Sequence, residues 1–216
     1  MHADNGQRPD NRKVNTFWRL LPDGTGLVDL ATTSGCALLD RPRPMTAHTR
    51  GFGQAIAAAL DHGISRLMLS LDGSCSTGGG CSTDGGAGAL RELGVAFLDR
   101  HDHPIRDGGI GLIDIATIDL TRIRHYPAGG VVILSEAAAP RHGCDSTARD
   151  LRSLQGVSAS EVLALEAALE HLNSFRLLPR TIGAPSQQLS GPGVARGARY
   201  GLQIWLTHAA PARSVG

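Results

Sequence analysis

A glycine-rich segment between a short apolar strand and a helix constrains the fold of this chain more than any other feature. The strand is Arg66–Leu71, the segment GGCSTDGGAG covers 79–88, and the helix runs from about Gly86 to Leu93. This order is typical of α/β proteins, in which the start of the helix offers backbone N–H groups to an anion. The order predicts an α/β fold with a phosphate-binding loop, although the same composition also suits a surface loop of small residues.

The segment is not a Walker A loop, because no Gly-Lys-Ser/Thr closes it. Asp84 is a candidate for holding a metal ion or orienting a substrate hydroxyl. Glycine lets the main chain approach a ligand, and hydroxyls add further donors. The candidate phosphate ligands are therefore the hydroxyls of Ser82 and Thr83 and the amides of Gly85 and Gly86.

The rest of the chain adds strands and helices around this unit. Val14–Leu21 and Gly26–Ala31 flank the turn Pro-Asp-Gly-Thr and predict a hairpin. Residues 51–62 predict a helix that ends at a glycine, and 131–134 (VVIL) predict the clearest buried strand. Ser158–Leu172 predicts a helix that begins with a capping box. Together they predict a mixed β-sheet flanked by helices.

Composition excludes several classes of protein. The chain has 216 residues with 21 Lys+Arg against 20 Asp+Glu, and no basic stripe, so we expect no nucleic-acid partner. Its apolar runs are shorter than the roughly 18 residues of a membrane span, and its polar N-terminus predicts a cytoplasmic location. We expect loose tails at 1–13 and 207–216 around one domain at 14–206.

The cysteines and histidines do not predict a metal site. Cys75 and Cys81 are too far apart in sequence for a zinc knuckle, and Cys36 and Cys144 add no ligand pair. The histidines of 99–103 (DRHDH) are expected in a solvated turn. Packing is the expected role of the two tryptophans, whereas substrate contacts stay open for three loop residues: His142, Cys144 and Asp145.

The run from residue 49 to 120 resembles the glycerate kinase family nearly end to end. TRGFGQAIAAALDHGISRLMLSL resembles the family's helix and the strand before its glycine loop, and GGCSTDGGAGALRELGVAFLD resembles that loop and the next helix. Upstream, WRLLPDGTGLVDLATTSGCALL resembles the family's first hairpin. Downstream, VVILSEAAAPRHG and GPGVARGARYGL extend the resemblance to about residues 14–206.

The resemblance implies ATP-dependent phosphorylation of D-glycerate to phosphoglycerate, with Mg²⁺. Asp84 and Glu136 are the implied catalytic residues, and Gly193 joins the implied ligands of substrate or phosphate. Family members have two α/β domains, and this chain resembles the inserted middle one. The other domain is largely absent, because the family's Asp-Ser-Phe-Lys-Gly, Asp-Gly-Gly-Glu-Gly and Gly-Glu-Gly-Arg-like segments are missing. A partner that supplies the missing domain, or a homo-oligomer, would cover the apolar face this leaves.

Departures from the family's pattern keep a second hypothesis open. Residues 153–156 (SLQG) stand where the family has Pro-Gln-Lys-Gly, and Arg196 and Arg199 stand where it has glycines. Phosphoryl transfer depends on positioning and charge neutralisation, so such changes bear directly on catalysis. The alternative is an inactive, truncated or degenerate homologue that acts as a binding or structural remnant.

Overall fold

A five-stranded mixed sheet lies at the centre of the computed structural model. Its strands lie in the order His2–Gln7, Lys13–Leu20, Thr25–Asp29, Arg66–Ser70 and Val131–Leu134. The structure describes residues 2–35, 38–41, 43–71, 83–134, 158–178 and 198–212. Helices cover one face of the sheet, so the α/β class and the mixed sheet predicted from the sequence are confirmed.

The first three strands are antiparallel. They are β1 (His2–Gln7), β2 (Lys13–Leu20) and β3 (Thr25–Asp29). Gly24 closes the turn between β2 and β3 with a positive φ of 80°, a conformation that glycine adopts without strain. The predicted hairpin is confirmed.

The prediction of a loose tail at residues 1–13 is wrong. Six residues, His2–Gln7, pair with β2 from His2 opposite Trp18 to Gln7 opposite Lys13. This sequence is polar and has no apolar alternation, but strand pairing uses backbone N–H and C=O groups that every such residue carries. Pairing at the edge of a sheet therefore needs no hydrophobic pattern, and no local signal marked this strand.

The parallel half of the sheet carries the site. Strand β4 (Arg66–Ser70) pairs in parallel with β3 on one side and with β7 (Val131–Leu134) on the other. Helix α2 (Arg50–Asp61) crosses over between β3 and β4, and the predicted stop at Gly63 has φ of 82°. A second sheet pairs β5 (Ala96–Leu98) with β6 (Thr117–Asp119).

Further helices pack beside this unit and on one another. They are α1 (Leu30–Ser34), α3 (Ala87–Glu92), a 3₁₀ helix (Gly109–Asp114), α4 (Ala159–Ser174) and α5 (Ala198–His208). Ser158 and Glu161 form the predicted capping box at the start of α4. Its buried face is the predicted one: Val162, Leu165, Ala168, Leu169 and Leu172. No helix among the described residues is long and apolar enough to cross a membrane.

Large apolar side chains fill the space between sheet and helices. Phe52, Leu67, Leu69 and Trp205 are fully buried there, and Trp18 is nearly so. The Trp205 indole N–H donates to the Arg124 carbonyl at 2.7 Å, which satisfies its polar atom in the interior. The predicted packing role of both tryptophans is confirmed.

The C-terminal tail expected from residue 207 is also shorter than predicted. Helix α5 continues to His208, and the chain beyond it pairs with Tyr126 through the Ala212 N–H, which donates to the Tyr126 carbonyl at 2.6 Å. The Ala/Pro composition of this stretch suggested a tail, but a single extended pairing requires no particular side chains.

Strand β7 lies at the edge of the sheet among the described strands, and it is not the fully buried strand that its apolar run predicted. Val132 is 40% exposed and Leu134 is 41% exposed. Register places both on the face of the sheet opposite the helices, in line with Met68 and Leu27, and Phe17 of β2, 42% exposed, lies on that face too. We call the side chains of Phe17, Leu27, Met68, Val132 and Leu134 the open sheet face.

Candidate functional site

The carboxyl ends of three parallel strands meet at one edge of the sheet. The Leu71 N–H, just beyond β4, donates to the Leu134 carbonyl at the end of β7 at 3.0 Å, and Asp29 at the end of β3 lies opposite Ser70. In the sequence, the connection to the glycine-rich segment follows β4, and Glu136 follows β7 by two residues. This is the edge at which open α/β sheets bind their ligands.

The Asp84 carboxylate lies in the interior, at the place where α2 and α3 begin. It is 1% exposed, and Thr49 beside it is fully buried. Its Oδ2 accepts the Thr49 N–H and the Thr49 hydroxyl, both at 2.9 Å, and the Gly88 N–H at 3.0 Å. Its Oδ1 accepts the Gly86 N–H at 3.1 Å. An ionised carboxylate only accepts hydrogen bonds, which matches a site made of donors.

The start of α3, which the sequence predicted as an anion cradle, is satisfied by the protein itself. The Ala87 N–H donates to the Asp84 carbonyl at 3.0 Å, and the Ala89 N–H donates to the Thr49 hydroxyl at 2.9 Å. With the Gly86 and Gly88 bonds to the Asp84 side chain, these amides have partners where first-turn amides of a helix usually lack one. They therefore organise the loop from within.

The glycines of this segment serve close packing. Gly86 has φ of 82°, and a Cβ built on it would lie 2.8 Å from the Gly201 Cα of α5. A Cβ on Gly88 would lie 2.8 Å from the Arg50 amide nitrogen and from Asp84 Oδ2. Gly85, with φ of 60°, completes the turn. Without side chains at these positions, three helices approach one another at the end of the glycine-rich segment.

Thr83 fixes the last turn before α3. It is 7% exposed, and its hydroxyl donates to the Pro44 carbonyl at 2.6 Å. Ser82, Glu136 and Gly193 lie outside the described residues, as do the four cysteines and the loop residues at 142–145. Of the predicted site residues, the structure brings Thr83, Asp84, Gly85 and Gly86 together in one buried turn.

His48 is a buried residue that sequence reasoning missed. Its Nδ1 accepts the Arg50 N–H at 3.3 Å, so Nε2 carries the proton and donates to the Asn11 side-chain oxygen at 3.0 Å. Burial lowers the pKa of His48, and the nearby Asp84 and Asp107 carboxylates oppose that effect. The residue stands between two prolines and a helix, where no periodicity marks it as buried.

An ion-pair network lies next to the start of α2, at Arg50. Arg50 Nε binds Glu92 at 2.6 Å, and Arg91 binds Asp107 at 2.7 Å. Arg50 also reaches Asp107 at 3.4 Å, so the network joins the starts of α2 and the 3₁₀ helix to the end of α3. These half-buried arginines are paired, which makes them structural links between elements.

The turn at residues 99–103 lies on the surface, as predicted. His101 and His103 are exposed, and their backbone N–H groups donate to the Asp99 carboxylate at 2.8 and 3.0 Å. Within the described part of the chain, no group of three His, Cys, Asp or Glu side chains is arranged to hold a metal ion.

Comparisons with known proteins agree on one family. The family model described as "Glycerate kinase family" matches residues 3–214, beyond the 14–206 that the motifs covered. The chain is 28% identical over 205 residues to a glycerate kinase of Bacillus subtilis (strain 168), covering 92% of this chain and 51% of that relative. It is 25% identical over 202 residues to a glycerate 2-kinase of Escherichia coli (strain K12), again covering 92% of this chain and 51% of the relative.

A solved structure shares the fold. A crystal structure named "putative glycerate kinase 2", from Salmonella typhimurium LT2, matches with a TM-score of 0.70 at 21% sequence identity. The match covers 98% of this chain and 56% of that one. The chain thus spans about half the length of the curated relatives it matches.

Proposed function

The chain belongs to the glycerate kinase family, and from that membership we propose that it contributes to the ATP-dependent phosphorylation of D-glycerate. Two relatives that match over 92% of this chain are named as a glycerate kinase and a glycerate 2-kinase. The reaction transfers the γ-phosphoryl group of ATP to a hydroxyl oxygen of glycerate, which yields phosphoglycerate and ADP. With ATP as the donor, the cytoplasm is the proposed compartment.

This proposal rests on one observation: the carboxyl ends of the parallel strands meet at one edge of the sheet. Because the Leu71 N–H donates to the Leu134 carbonyl, the connections that lead to the glycine-rich segment and to Glu136 leave the sheet at adjacent points. Phosphoryl transfer needs groups that position two substrates and neutralise charge, and a strand edge collects such groups from separate parts of the chain. The proposed substrate site is therefore at this edge.

We assign roles to the residues that leave these strands. Glu136 is the proposed acidic residue near the reacting hydroxyl. Ser82, Gly193 and the Gly85 amide are the proposed contacts to phosphate or substrate, because the Thr83 hydroxyl already donates to the Pro44 carbonyl and the Gly86 N–H to Asp84. ATP and Mg²⁺ would supply the phosphoryl group and the countercharge.

The described residues do not fit a magnesium site. The Asp84 carboxylate accepts from Thr49, Gly86 and Gly88 and is buried, so it has no oxygen facing a ligand. Mg²⁺ binds carboxylates with open coordination positions and keeps several waters, which the interior near Asp84 does not admit. We therefore assign no catalytic step to Asp84 through a metal ion.

The second candidate function is that of a binding or structural member of the family, which does not catalyse phosphoryl transfer by itself. The chain covers 51% of its Bacillus subtilis relative, and the open sheet face leaves Val132 and Leu134 about two-fifths exposed. Exposed apolar patches mark interaction sites. The proposed partner is a polypeptide that supplies the other domain of the family fold, or a second copy of this chain.

An ADP-release assay separates the two candidates. The full chain, incubated with D-glycerate, ATP and Mg²⁺, should release ADP above a blank without enzyme, and Glu136→Gln should abolish the release. Glu170→Gln, on the exposed face of α4, is the matched control and should behave as the unaltered chain. Release equal to the blank would exclude catalysis by this chain alone, and light scattering would then show whether it is a monomer or an oligomer.

A further inference from the structure

Thr49 and Asp84 join the starts of two helices in the interior of the protein. Thr49 immediately precedes α2, and Asp84 stands three residues before α3. Neither side chain reaches solvent, since they are 0% and 1% exposed. Residues so placed cannot meet a ligand directly, but they can fix the backbone that does.

We propose that Thr49 and Asp84 form a clamp that positions the end of the glycine-rich segment, and that Asp84 is a positioning residue. The clamp itself follows from the hydrogen bonds, whereas its effect on nucleotide binding rests on the proposed function. This assignment differs from the catalytic role that the sequence motif implied for Asp84.

The hydrogen bonds of the clamp engage both carboxylate oxygens of Asp84. Asp84 Oδ2 takes three donors, namely the Thr49 N–H, the Thr49 hydroxyl and the Gly88 N–H. Because the hydroxyl donates to Asp84, its lone pairs accept the Ala89 N–H. Removal of any one of these groups would leave a buried partner without its hydrogen bond, which lowers the free energy of unfolding.

Close packing makes the clamp geometrically strict. A Cβ on Gly53 of α2 would lie 2.6 Å from the Ala89 carbonyl oxygen of α3, so the two helices touch backbone to backbone. A Cβ on Gly88 would lie 2.9 Å from the Thr49 nitrogen. A shift of α3 by less than 1 Å would therefore break hydrogen bonds or create clashes. The turn at 83–86 precedes α3 directly and moves with it.

Amide hydrogen exchange on the full chain tests the clamp without any ligand. In the unaltered protein, the Gly88 and Ala89 amides should exchange at least about 100-fold more slowly than free amides, although first-turn helix amides usually exchange fast. Exchange of both amides at the unprotected rate would overturn the proposal. This measurement needs neither a variant nor enzymatic activity.

The hydroxyl of Thr49 is tested by a matched pair of variants. Thr49→Val has the same shape but no hydroxyl, and it should speed exchange of the Ala89 amide at least about tenfold. Thr49→Ser keeps the hydroxyl and should restore slow exchange, which a role of Thr49 in packing alone would not predict. Equal exchange in the two variants would overturn the clamp.

Binding of a non-hydrolysable ATP analogue with Mg²⁺ tests the functional consequence. Thr49→Val should raise the Kd at least about tenfold, and Thr49→Ser should stay within about threefold of the unaltered chain. An unchanged Kd in Thr49→Val would overturn the positioning role. If the unaltered chain does not bind the analogue, the proposed function fails while the exchange rates still decide whether the clamp exists.

Discussion

The clamp between α2 and α3 and the open sheet face reverse the usual distribution of polar and apolar side chains. In the clamp, a carboxylate and a hydroxyl are buried and fully hydrogen-bonded. On the open sheet face, Val132, Leu134 and Phe17 are each about two-fifths exposed. The polar residues act in the interior and the apolar ones face outward, within the same domain.

The difference shows what each region is built for. A buried carboxylate is tolerated only with a full set of partners, so the clamp is a device for precise geometry. Exposed apolar patches often mark interaction sites, so we propose an interaction at the open sheet face. Stability should therefore be sensitive at the clamp and insensitive at the open sheet face.

Asp84→Ala should give the largest effect, because it leaves four buried donor groups without an acceptor. We expect a loss of about 4 kcal/mol in the free energy of unfolding, measured by urea denaturation. Glu170→Ala on the exposed face of α4 is the control and should leave the midpoint unchanged. A loss at Asp84 as small as that of the control would show that the carboxylate is not part of the interior.

Gly86→Ala and Gly63→Ala separate backbone strain from packing. Both glycines have φ of 82°, but a Cβ on Gly86 would meet Gly201 at 2.8 Å, whereas a Cβ on Gly63 would meet nothing within 4 Å. We expect a loss of about 3 kcal/mol for Gly86→Ala and about 1 kcal/mol for Gly63→Ala. Equal midpoints in urea denaturation would mean that α3 and α5 do not pack closely.

The effect of Val→Thr on stability can be compared between the two faces of the sheet. Val28→Thr places a hydroxyl in the core, where Val28 is fully buried, and should cost about 2 kcal/mol. Val132→Thr on the open sheet face should cost less than about 0.5 kcal/mol, and it should weaken any self-association measured by analytical ultracentrifugation. A large loss of stability in Val132→Thr would show that the open sheet face is covered within the chain.

A pH dependence of stability is expected at the edge of the clamp. Burial lowers the pKa of His48, so the unfolded chain takes up a proton before the folded chain as the pH falls. Stability is therefore full above the unfolded value of about 6.5 and declines below it, by at most about 1.4 kcal/mol per pH unit.

The variant His48→Gln isolates this term. Two carboxylates (Asp84, Asp107) and two arginines (Arg50, Arg91) surround His48 and are retained in the variant. Urea denaturation at pH 7.5 and pH 5.5 should show a larger loss of stability in the unaltered chain than in the variant. Equal losses would mean that His48 is protonated in the folded protein or is not buried.

The sequence predicted the parts of the fold that have strong local signals. The face of α4 and its capping box were correct because periodicity and capping act within a few residues. Strand β1 was missed because backbone pairing leaves no mark on a polar sequence. Strand β7 was predicted as buried because an apolar run does not say how many neighbours a strand has.

At the candidate site, the sequence identified the segment but did not show that its polar groups bond within the protein. Glycine and acidic residues after a strand predicted a phosphate cradle, and the structure turns the Asp84 carboxylate inward instead. The partner that decides this is Thr49, which lies 35 residues away in the chain. Contacts at that distance depend on the packing of α2 against α3, which no local pattern encodes.

A double-mutant cycle between Thr49→Val and Asp84→Asn tests most directly whether these residues act as one unit. The free energy of unfolding is measured by urea denaturation for the unaltered chain, both single variants and the double variant. We predict a coupling energy of about 2 kcal/mol, because Thr49→Val removes the hydroxyl that Asp84 accepts from, and Asp84→Asn leaves one oxygen where two accept four donors. Losses that add to within about 0.5 kcal/mol would contradict the clamp.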